Sequence, residues 1–586
     1  MLQLKELIES HYPGFASKPG ILTNPTVALL RRMLREQEVN AFLAQNAGLD
    51  GLEFVERVLE HFDFSFSVVG REKENIPCEG RVVIVANHPL GLLDGAALLK
   101  LVSEVRRDVR IVASDVLGQF EPIRDVVLPV VNIGRGSNKA NVAAIHAALE
   151  RDEAVIFFPS GEVSRAGPTG IRDGRWHAGF LRFAERARAP ILPVHLEGRN
   201  SALFYGVSAM FKPISTFMLF GEAYKQRATA LPVRVGELIA WRDIEALALT
   251  REQKVRHISR QVYAIGRNRV LPFRTQKAIA HPEDRVAVRR ELQGTELLAR
   301  TGDGKQIFLF DGRTGSAVMR ELGRLREVAF RQVGEGTGKR RDIDAFDAHY
   351  RHVLLWDDQE LQVVGAYRIG RVADILATRG PEGLYTYQLF SYGDGMLGAF
   401  GRSLELGRSF VQPRYWGLRG LDCLWQGIGA YLRRHPEVRY LFGPVSLSAA
   451  LPDAARKLLV HFYGLHFGGR PGMASARIPY EVAPAEREAF SSIVAGDDYE
   501  RDFRAMKRRL AEMGASVPTL YKQYTELCEP GGTTFLAFGL DPGFGGCVDG
   551  LVMVDLERMR PAKRERYLGA GNAASGAGAQ SLLRSA

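Results

Sequence analysis

VVIVANHPLGLLDG, residues 82–95, is the stretch on which the reading of this chain turns. The run VVIVA is short, apolar and β-branched, as a strand covered on both faces requires. It ends in Asn87 and His88, turns through Pro89 and Gly91, and reaches Asp94 just before a helical pattern. A histidine at that position can take a proton from a hydroxyl near neutral pH. A carboxylate against its other ring nitrogen would fix the tautomer and stabilise the imidazolium as it forms. The hydroxyl could then attack a thioester directly, with no enzyme-bound acyl group. Asp94 equally suits the N-cap of a helix starting at Gly95, in which case His88 only decorates a turn.

Further apolar runs follow at 109–113, 154–158 and 191–196, with helical spacing between them at 96–102 and 142–149. Strands alternating with helices predict an α/β fold with a mostly parallel sheet. In such sheets the reactive groups gather in loops beyond the carboxyl ends of the strands. VVNIGRGSN places Asn132, Gly134 and Arg135 in one such loop, and FFPSGEVSR (157–165) places Gly161, Glu162, Ser164 and Arg165 in another. Glycine-turn amides and arginines can hold a phosphate, a carboxylate or a developing oxyanion. The proline-flanked strand at 189–194 can wall an acyl groove.

The 586 residues exceed what one core organises, so two or three domains are expected. The spacing predicts a helical segment over 1–70, an αβ domain over 71–265 and an arginine-rich connector over 266–304. A second αβ block follows over 305–567, then a disordered tail over 568–586. With 46% hydrophobic and 25% charged residues, general disorder is excluded. The net charge of +11 favours an acidic partner: nucleic acid, anionic lipid or an acidic carrier protein. No aromatic and basic interleave of the RNA-binding kind occurs, so nucleic acid is set aside.

Cys78, Cys423, Cys528 and Cys547 form no Cys-x-x-Cys pair, which fits a reducing compartment rather than a zinc ribbon or a disulfide scaffold. No apolar stretch reaches membrane-spanning length, and MLQLKELIESHYPG carries charge where a signal peptide needs an apolar core. A cytoplasmic protein able to lie on a membrane surface is expected. Val27, Leu30 and Leu34 beside Arg31, Arg32 and Arg35 make a basic amphipathic helix, suited to packing on its own domain or to lipid.

In the second block Gly334, Gly338 and Lys339 suggest a nucleotide loop, but the spacing is short and Arg340 stands where Ser or Thr should hold magnesium. Asp342, Asp344 and Asp347, then Arg368, then Glu405 and Arg408 are more informative. Carboxylates can orient an amine acceptor or relay its proton, and arginines fix carboxylate or phosphate. Ion pairs on strand ends would give the same pattern. The stretch 499–513 places Tyr499, Phe503, Met506 and Leu510 on one helix face, with Arg501, Arg504, Lys507 and Arg508 elsewhere. It suits docking of an acidic carrier or lipid, or plain solvation.

Residues 80–200 resemble the glycerophosphate/lysophospholipid acyltransferase family. Its motifs are Asn-His followed by Asp, Gly or Asp before Arg, Phe-Pro-Glu-Gly-Thr-Arg-Ser, and a Val-Pro pair. The resemblance implies His88 as base and Asp94 as its partner. Asn87, Gly134, Arg135, Gly161, Glu162, Ser164 and Arg165 would bind substrate, and Pro193 falls in the fourth motif. Five residues separate His88 from Asp94 where the family has four, so the turn must bulge. Ser160, Glu162 and Val163 replace Glu, Thr and Arg of the third motif, which favours an acceptor without a phosphate.

Residues 318–450 resemble the Gcn5-related acyltransferase superfamily, in the branch of N-acyl-homoserine lactone synthases and ornithine-lipid N-acyltransferases. That implies Asp344 and Glu405 as catalytic, with Arg326, Asp342, Asp347, Arg368 and Arg408 binding substrate. The superfamily's pyrophosphate loop should follow the 405–411 strand, where PRYWGLRG (413–420) offers Arg414, Gly417 and Gly420.

Together the halves resemble bifunctional ornithine lipid synthases. The resemblance implies N-acylation of ornithine by the C-terminal half, with a 3-hydroxyacyl group from acyl carrier protein or CoA. O-acylation of that hydroxyl by the N-terminal half would follow. It also implies no bound cofactor or metal, and attachment to the cytoplasmic face of the inner membrane. A lysophospholipid or glycerophosphate acyltransferase with a degenerate second half is an alternative, as is a lipid built on glycine, lysine or glutamine.

Overall fold

The computed structural model describes residues 35–569, apart from 115–116, 118–119, 131–138, 168–169, 211, 266 and 268–271. Two compact units divide the chain, Met1–Ala280 and His281–Ala586. The helix expected around residues 27–35 and most of the expected tail lie outside the described residues.

The first unit is built on seven strands: β1 (Ser65–Val68), β2 (Val82–Ala86), β3 (Val109–Ser114), β4 (Val127–Val130), β5 (Ala154–Phe157), β8 (Ile191–Leu196) and β9 (Ala230–Val235). A separate hairpin pairs β6 (Arg165–Gly167) with β7 (Gly170–Arg172). The sheet order is β1-β9-β8-β2-β5-β3-β4, and only the β8–β9 pair is antiparallel.

β2 lies in the middle and is buried throughout. Val82, Ile84 and Ala86 pack with α1 (Leu92–Ser103). Val83 and Val85 pack on the opposite face with α2 (Lys139–Glu150), α3 (Gly179–Ala187) and α4 (Arg251–Ala264). An all-apolar strand is what two covered faces demand. The chain leaves β2 toward β3 on one side and later returns as β8 on the other. A crevice beyond the carboxyl end of β2 follows from that crossing.

Strands 82–86 and 191–196 coincide with the sequence reading, and the other two differ by one residue. α1 begins at Leu92 rather than Gly95. Gly91, with φ 101°, supplies the left-handed cap that lets the helix start early.

The second unit has an eight-stranded sheet: β10 (Glu296–Arg300), β11 (Gln306–Asp311), β12 (Arg351–Asp357), β13 (Gln362–Arg371), β15 (Ser403–Val411), β16 (Tyr440–Leu447), β18 (Thr533–Asp541) and β19 (Cys547–Asp555). A side ribbon joins β14 (Phe390–Tyr392) to β17 (Ala474–Ala476). The order is β10-β11-β12-β13-β15-β16-β19-β18, antiparallel except for β15–β16. That parallel ladder runs only from Ser403 to Glu405 against Tyr440 to Phe442.

The stretch read as a connector holds two elements of this unit, β10 and a helix. Within it α5 (Arg285–Gln293) is amphipathic, with Val288 and Leu292 buried. Its Glu291 accepts from the amides of Ala317 and Val318 at 2.9 Å each, capping α6 (Ala317–Gln332). The density of arginines hid this apolar stripe.

α6 packs on one face of the sheet. α7 (Gly420–Arg434), α8 (Asp453–Phe467) and α9 (Tyr499–Glu512) pack into a cluster on the other. β15 carries one residue too many against β13: Ala366 pairs with Phe410, but Arg368 pairs with Gly407. Arg408 sits in this bulge with φ 45°. A bulge re-aims a side chain, and here the side chain is a guanidinium.

Two candidate active sites

The first site begins with Asn87, which fastens the end of β2 to the end of β8. Its Nδ2 donates to the Leu196 carbonyl at 2.9 Å, and its Oδ1 accepts from the Leu196 amide at 2.8 Å. His88 follows, with Nδ1 3.1 Å from Asp94 Oδ2. That same oxygen accepts from the amides of Leu90 (2.7 Å) and Gly91 (3.0 Å). The turn bulges at Gly91, as the longer spacing required, and Asp94 reaches back from the first turn of α1. Asp94 is thus the third residue of α1 and not its N-cap, and its carboxylate reaches both the Gly91 amide and the His88 ring.

With Asp94 accepting a hydrogen bond from Nδ1–H, Nε2 keeps its lone pair for an incoming hydroxyl. The ring stacks on Phe158 at 4.1 Å and 19°, and 20% of the His88 side chain stays open. Asp94 is fully buried.

Around them, Ser164 is buried; its amide donates to the His88 carbonyl at 2.7 Å, and its Oγ donates to Asp173 Oδ1 at 2.6 Å. Gly161 turns with φ 64°. Glu162 is exposed and pairs with Arg165 at 3.3 Å. Pro193 lies in β8 opposite Val85. Gly134 and Arg135 lie outside the described residues.

Asp173 escaped the sequence reading, because RDGRW has the composition of an ordinary turn. It accepts from the His88 amide at 3.1 Å and from Trp176 Nε1 at 2.9 Å. The Asp-Gly pair three residues before a tryptophan was the only signal.

The second site occupies one face of the second sheet. Arg326 of α6 is fully buried; it donates to Asp347 Oδ1 at 2.8 Å and faces His352 Nδ1 at 3.1 Å. Arg368 of β13 donates to Asp344 Oδ1 at 2.6 Å and Asp347 Oδ1 at 3.3 Å. Arg408 lies 3.0 Å from Asp342 Oδ2 and 3.5 Å from Asp344 Oδ2, and donates to the Tyr385 hydroxyl at 2.9 Å. Glu405 accepts from the Tyr350 hydroxyl and, at 2.8 Å, from the Thr386 amide.

Burial and charge pull these groups apart. Burial alone would raise the Asp347 carboxyl, but Arg326 and Arg368 hold it far below the usual range. Burial pushes Glu405 up, and Asp342 as well, against the pull of Arg408. Burial and then Arg326 bring His352 down to about 3, so it stays neutral.

Sequence reasoning missed five members of this constellation. Tyr350 and Tyr385 flank Arg368, and Tyr385 donates to Asp541 at 3.2 Å. Glu335 and Asp549 are buried, their carboxyls pushed up to about 7 and about 8 by burial first. Asp541 and Glu335 add to the shift at Asp549. Asp549 interrupts the apolar text CVDGLVMVD, and a carboxylate inside such a strand was the legible flag. Seven carboxyl groups (Glu335, Asp342, Asp344, Asp347, Glu405, Asp541 and Asp549) thus face three guanidiniums.

Residues 8–269 match the family described as acyltransferase, and residues 325–426 the one described as acetyltransferase (GNAT) domain. The chain is 30% identical over 226 residues to a lyso-glycine lipid O-acyltransferase of Bacteroides thetaiotaomicron, covering 37% of this chain and 82% of that protein. The chain belongs to the acyltransferase family. This acyltransferase joins an N-terminal acyltransferase domain to a C-terminal GNAT domain. It is also 28% identical over 305 residues to a glycine N(alpha)-acyltransferase of the same organism, covering 50% of this chain and 89% of that protein. To an L-ornithine N(alpha)-acyltransferase of Brucella abortus it is 34% identical over 193 residues, 29% of this chain and 63% of that protein. Among the described residues of the acyltransferase, no helix is long and apolar enough to cross a membrane.

Replacing Asn87 tests its structural part. Asn87→Ala leaves the Leu196 amide and carbonyl without partners, which costs about 1–3 kcal/mol. Chemical denaturation of the variant should register that loss. Unchanged stability would mean that Asn87 does not tie β2 to β8.

Proposed function

We propose that this acyltransferase makes a doubly acylated amino-acid lipid in two steps, N-acylation in the second unit and O-acylation in the first. One observation carries the reading: a single chain holds both a His–Asp pair open at one edge and a buried network of carboxyls and arginines. Its similarity to a glycine N(alpha)-acyltransferase and to a lyso-glycine lipid O-acyltransferase supports the same division.

In the first step the α-amine of ornithine attacks the thioester carbonyl of a 3-hydroxyacyl donor. The amide C–N bond forms, the C–S bond breaks, and the thiol leaves. Glu405 and Asp344 are the carboxylates assigned to the amine and its proton; burial raises the Glu405 carboxyl, which is apt for a base. Arg368 and Arg408 suit the acceptor's carboxylate.

In the second step Nε2 of His88 takes the proton of the 3-hydroxyl while its oxygen attacks a second thioester. The imidazolium, held by Asp94, returns that proton to the departing thiolate. No charged residue stands where the family has a phosphate-binding arginine, which suits a lyso-lipid acceptor with an amino-acid headgroup.

The excess of carboxyl groups favours ornithine, which brings two ammonium groups and one carboxylate. Glycine is the competing acceptor, in line with the similarity to a glycine N(alpha)-acyltransferase and a lyso-glycine lipid O-acyltransferase. The donor is acyl carrier protein or CoA; the exposed Arg501, Arg504, Lys507 and Arg508 of α9 suit an acidic carrier. The lyso-lipid is an amphiphile, so the enzyme is assigned to the cytoplasmic face of a membrane, where tethered sites keep the intermediate close.

Lipid extracts from cells expressing variants test the order of steps by mass spectrometry. His88→Ala should accumulate lyso-lipid and lose the diacylated product, whereas Glu405→Ala should lose both. Diacylated lipid from the His88 variant at parental levels would overturn the assignment.

Asp549→Asn separates an acceptor site from a structural one. In the unfolded chain this carboxyl titrates near about 4, whereas in the fold it titrates at about 8. Between those values the fold keeps a proton that the unfolded chain has lost, so stability falls as pH rises. Asparagine removes that penalty. The variant should therefore melt higher than the parent at pH 8, with the gap closing toward pH 4. Its KM for ornithine should rise about tenfold, the loss of one charge-assisted hydrogen bond. A stabilised variant with an unchanged KM would remove Asp549 from the acceptor site.

A further inference from the structure

His88 lies on irregular backbone between β2 and α1, where no ladder holds it. Its ring is fixed by Asp94 and Phe158. Its main chain is fixed by something else. The His88 carbonyl accepts from the Ser164 amide at 2.7 Å, and the His88 amide donates to Asp173 Oδ1 at 3.1 Å. Ser164 immediately precedes β6, and Asp173 immediately follows β7.

In the β6–β7 hairpin Arg165 pairs with Arg172, so Ser164 and Asp173 are its two feet. The feet are joined to each other by Ser164 Oγ donating to Asp173 Oδ1 at 2.6 Å. Both main-chain polar groups of His88 therefore bond to one clamp. Behind it, Trp176 Nε1 donates to Asp173 Oδ2 at 2.9 Å, and the Asp173 amide donates to the Tyr263 hydroxyl at 2.9 Å.

We infer that Asp173 is a positioning residue for acyl transfer at His88, holding the base against the acceptor through the two feet of the β6–β7 hairpin. The inference rests on the reading of His88 as the base of the O-acylation step. Asp173 acts on the histidine backbone, while Asp94 acts on the ring, so the two carboxylates fix different degrees of freedom. Burial pushes the Asp173 carboxyl upward, against the hydrogen bonds from Ser164 and His88 and the charge that His88 can carry. A base displaced by about 1 Å loses about 10²-fold in rate.

Eight residues separate Ser164 from Asp173, room for two short strands and a turn. The carboxylate at the far foot matches the hydroxyl at the near one. The feet act on the His88 main chain and do not touch the reacting atoms.

Steady-state O-acylation of purified lyso-lipid by the full chain provides the test. In Asp173→Ala, kcat should fall about 10²-fold, with KM for the lyso-lipid within about threefold, since the clamp acts on the base and not on binding. In Asp173→Asn the amide turns a donor toward Trp176 Nε1 and the charge is lost, so kcat should fall about tenfold. Asparagine fits the space, so this variant decides the matter if the alanine variant does not fold. N-acylation in the same preparations should stay at the parental rate and gauges the amount of working protein. A kcat for Asp173→Asn within twofold of the parent, with His88→Ala inactive, would overturn the inference and leave the base assignment standing. O-acylation surviving in His88→Ala would instead overturn the reading on which it rests.

Discussion

One oxygen, Oδ2 of Asp94, receives the ring N–H of His88 and the amides of Leu90 and Gly91. Those three donors come from three of the four residues His88–Gly91 in the turn that joins the central strand to the next helix. The oxygen therefore sets the helix start, the shape of the turn and the orientation of the imidazole together. A fully buried carboxyl group needs hydrogen-bond partners in place of the water it has lost. The longer spacing between His88 and Asp94 is absorbed by Gly91, whose backbone takes a conformation that a side chain would resist. Everything downstream in the first unit, from Asn87 to the hairpin feet, holds this turn in place.

The second unit solves a different problem with the same chemistry. Its reactive face is crowded with ionisable groups removed from water, and none of the three arginines reaches them all. The bulge at Arg408 is what brings a guanidinium within reach of both Asp342 and Asp344. Without the extra residue in β15, alternation would carry that side chain to the other side of the sheet.

Much of the first unit was legible because its strands are apolar on both faces and its turns hold glycine and proline. The runs at 82–86 and 191–196 could be placed to the residue for that reason. The end of the sheet formed by β1 and β9 was not legible, since Ser65–Val68 is short and half-polar. Asp173 was missed because its value depends on a contact made across the chain with His88, and spacing along one sequence carries no trace of it. In the second unit Asp342, Asp344, Asp347, Arg368, Glu405 and Arg408 could be picked out as a charged set. Tyr350 and Tyr385 could not, because buried aromatics read as core. The helix at Arg285–Gln293 was masked by arginines that hold Asp358 and cover the unit's surface.

The crowding of acids around Arg408 carries a consequence for binding. Burial raises the carboxyls of Glu335 and Asp549, so a cation bound on this face would displace the protons they keep. The occupant then completes the electrostatics of the fold in the way a missing side chain would. Binding there would therefore release protons, and its strength would rise with pH.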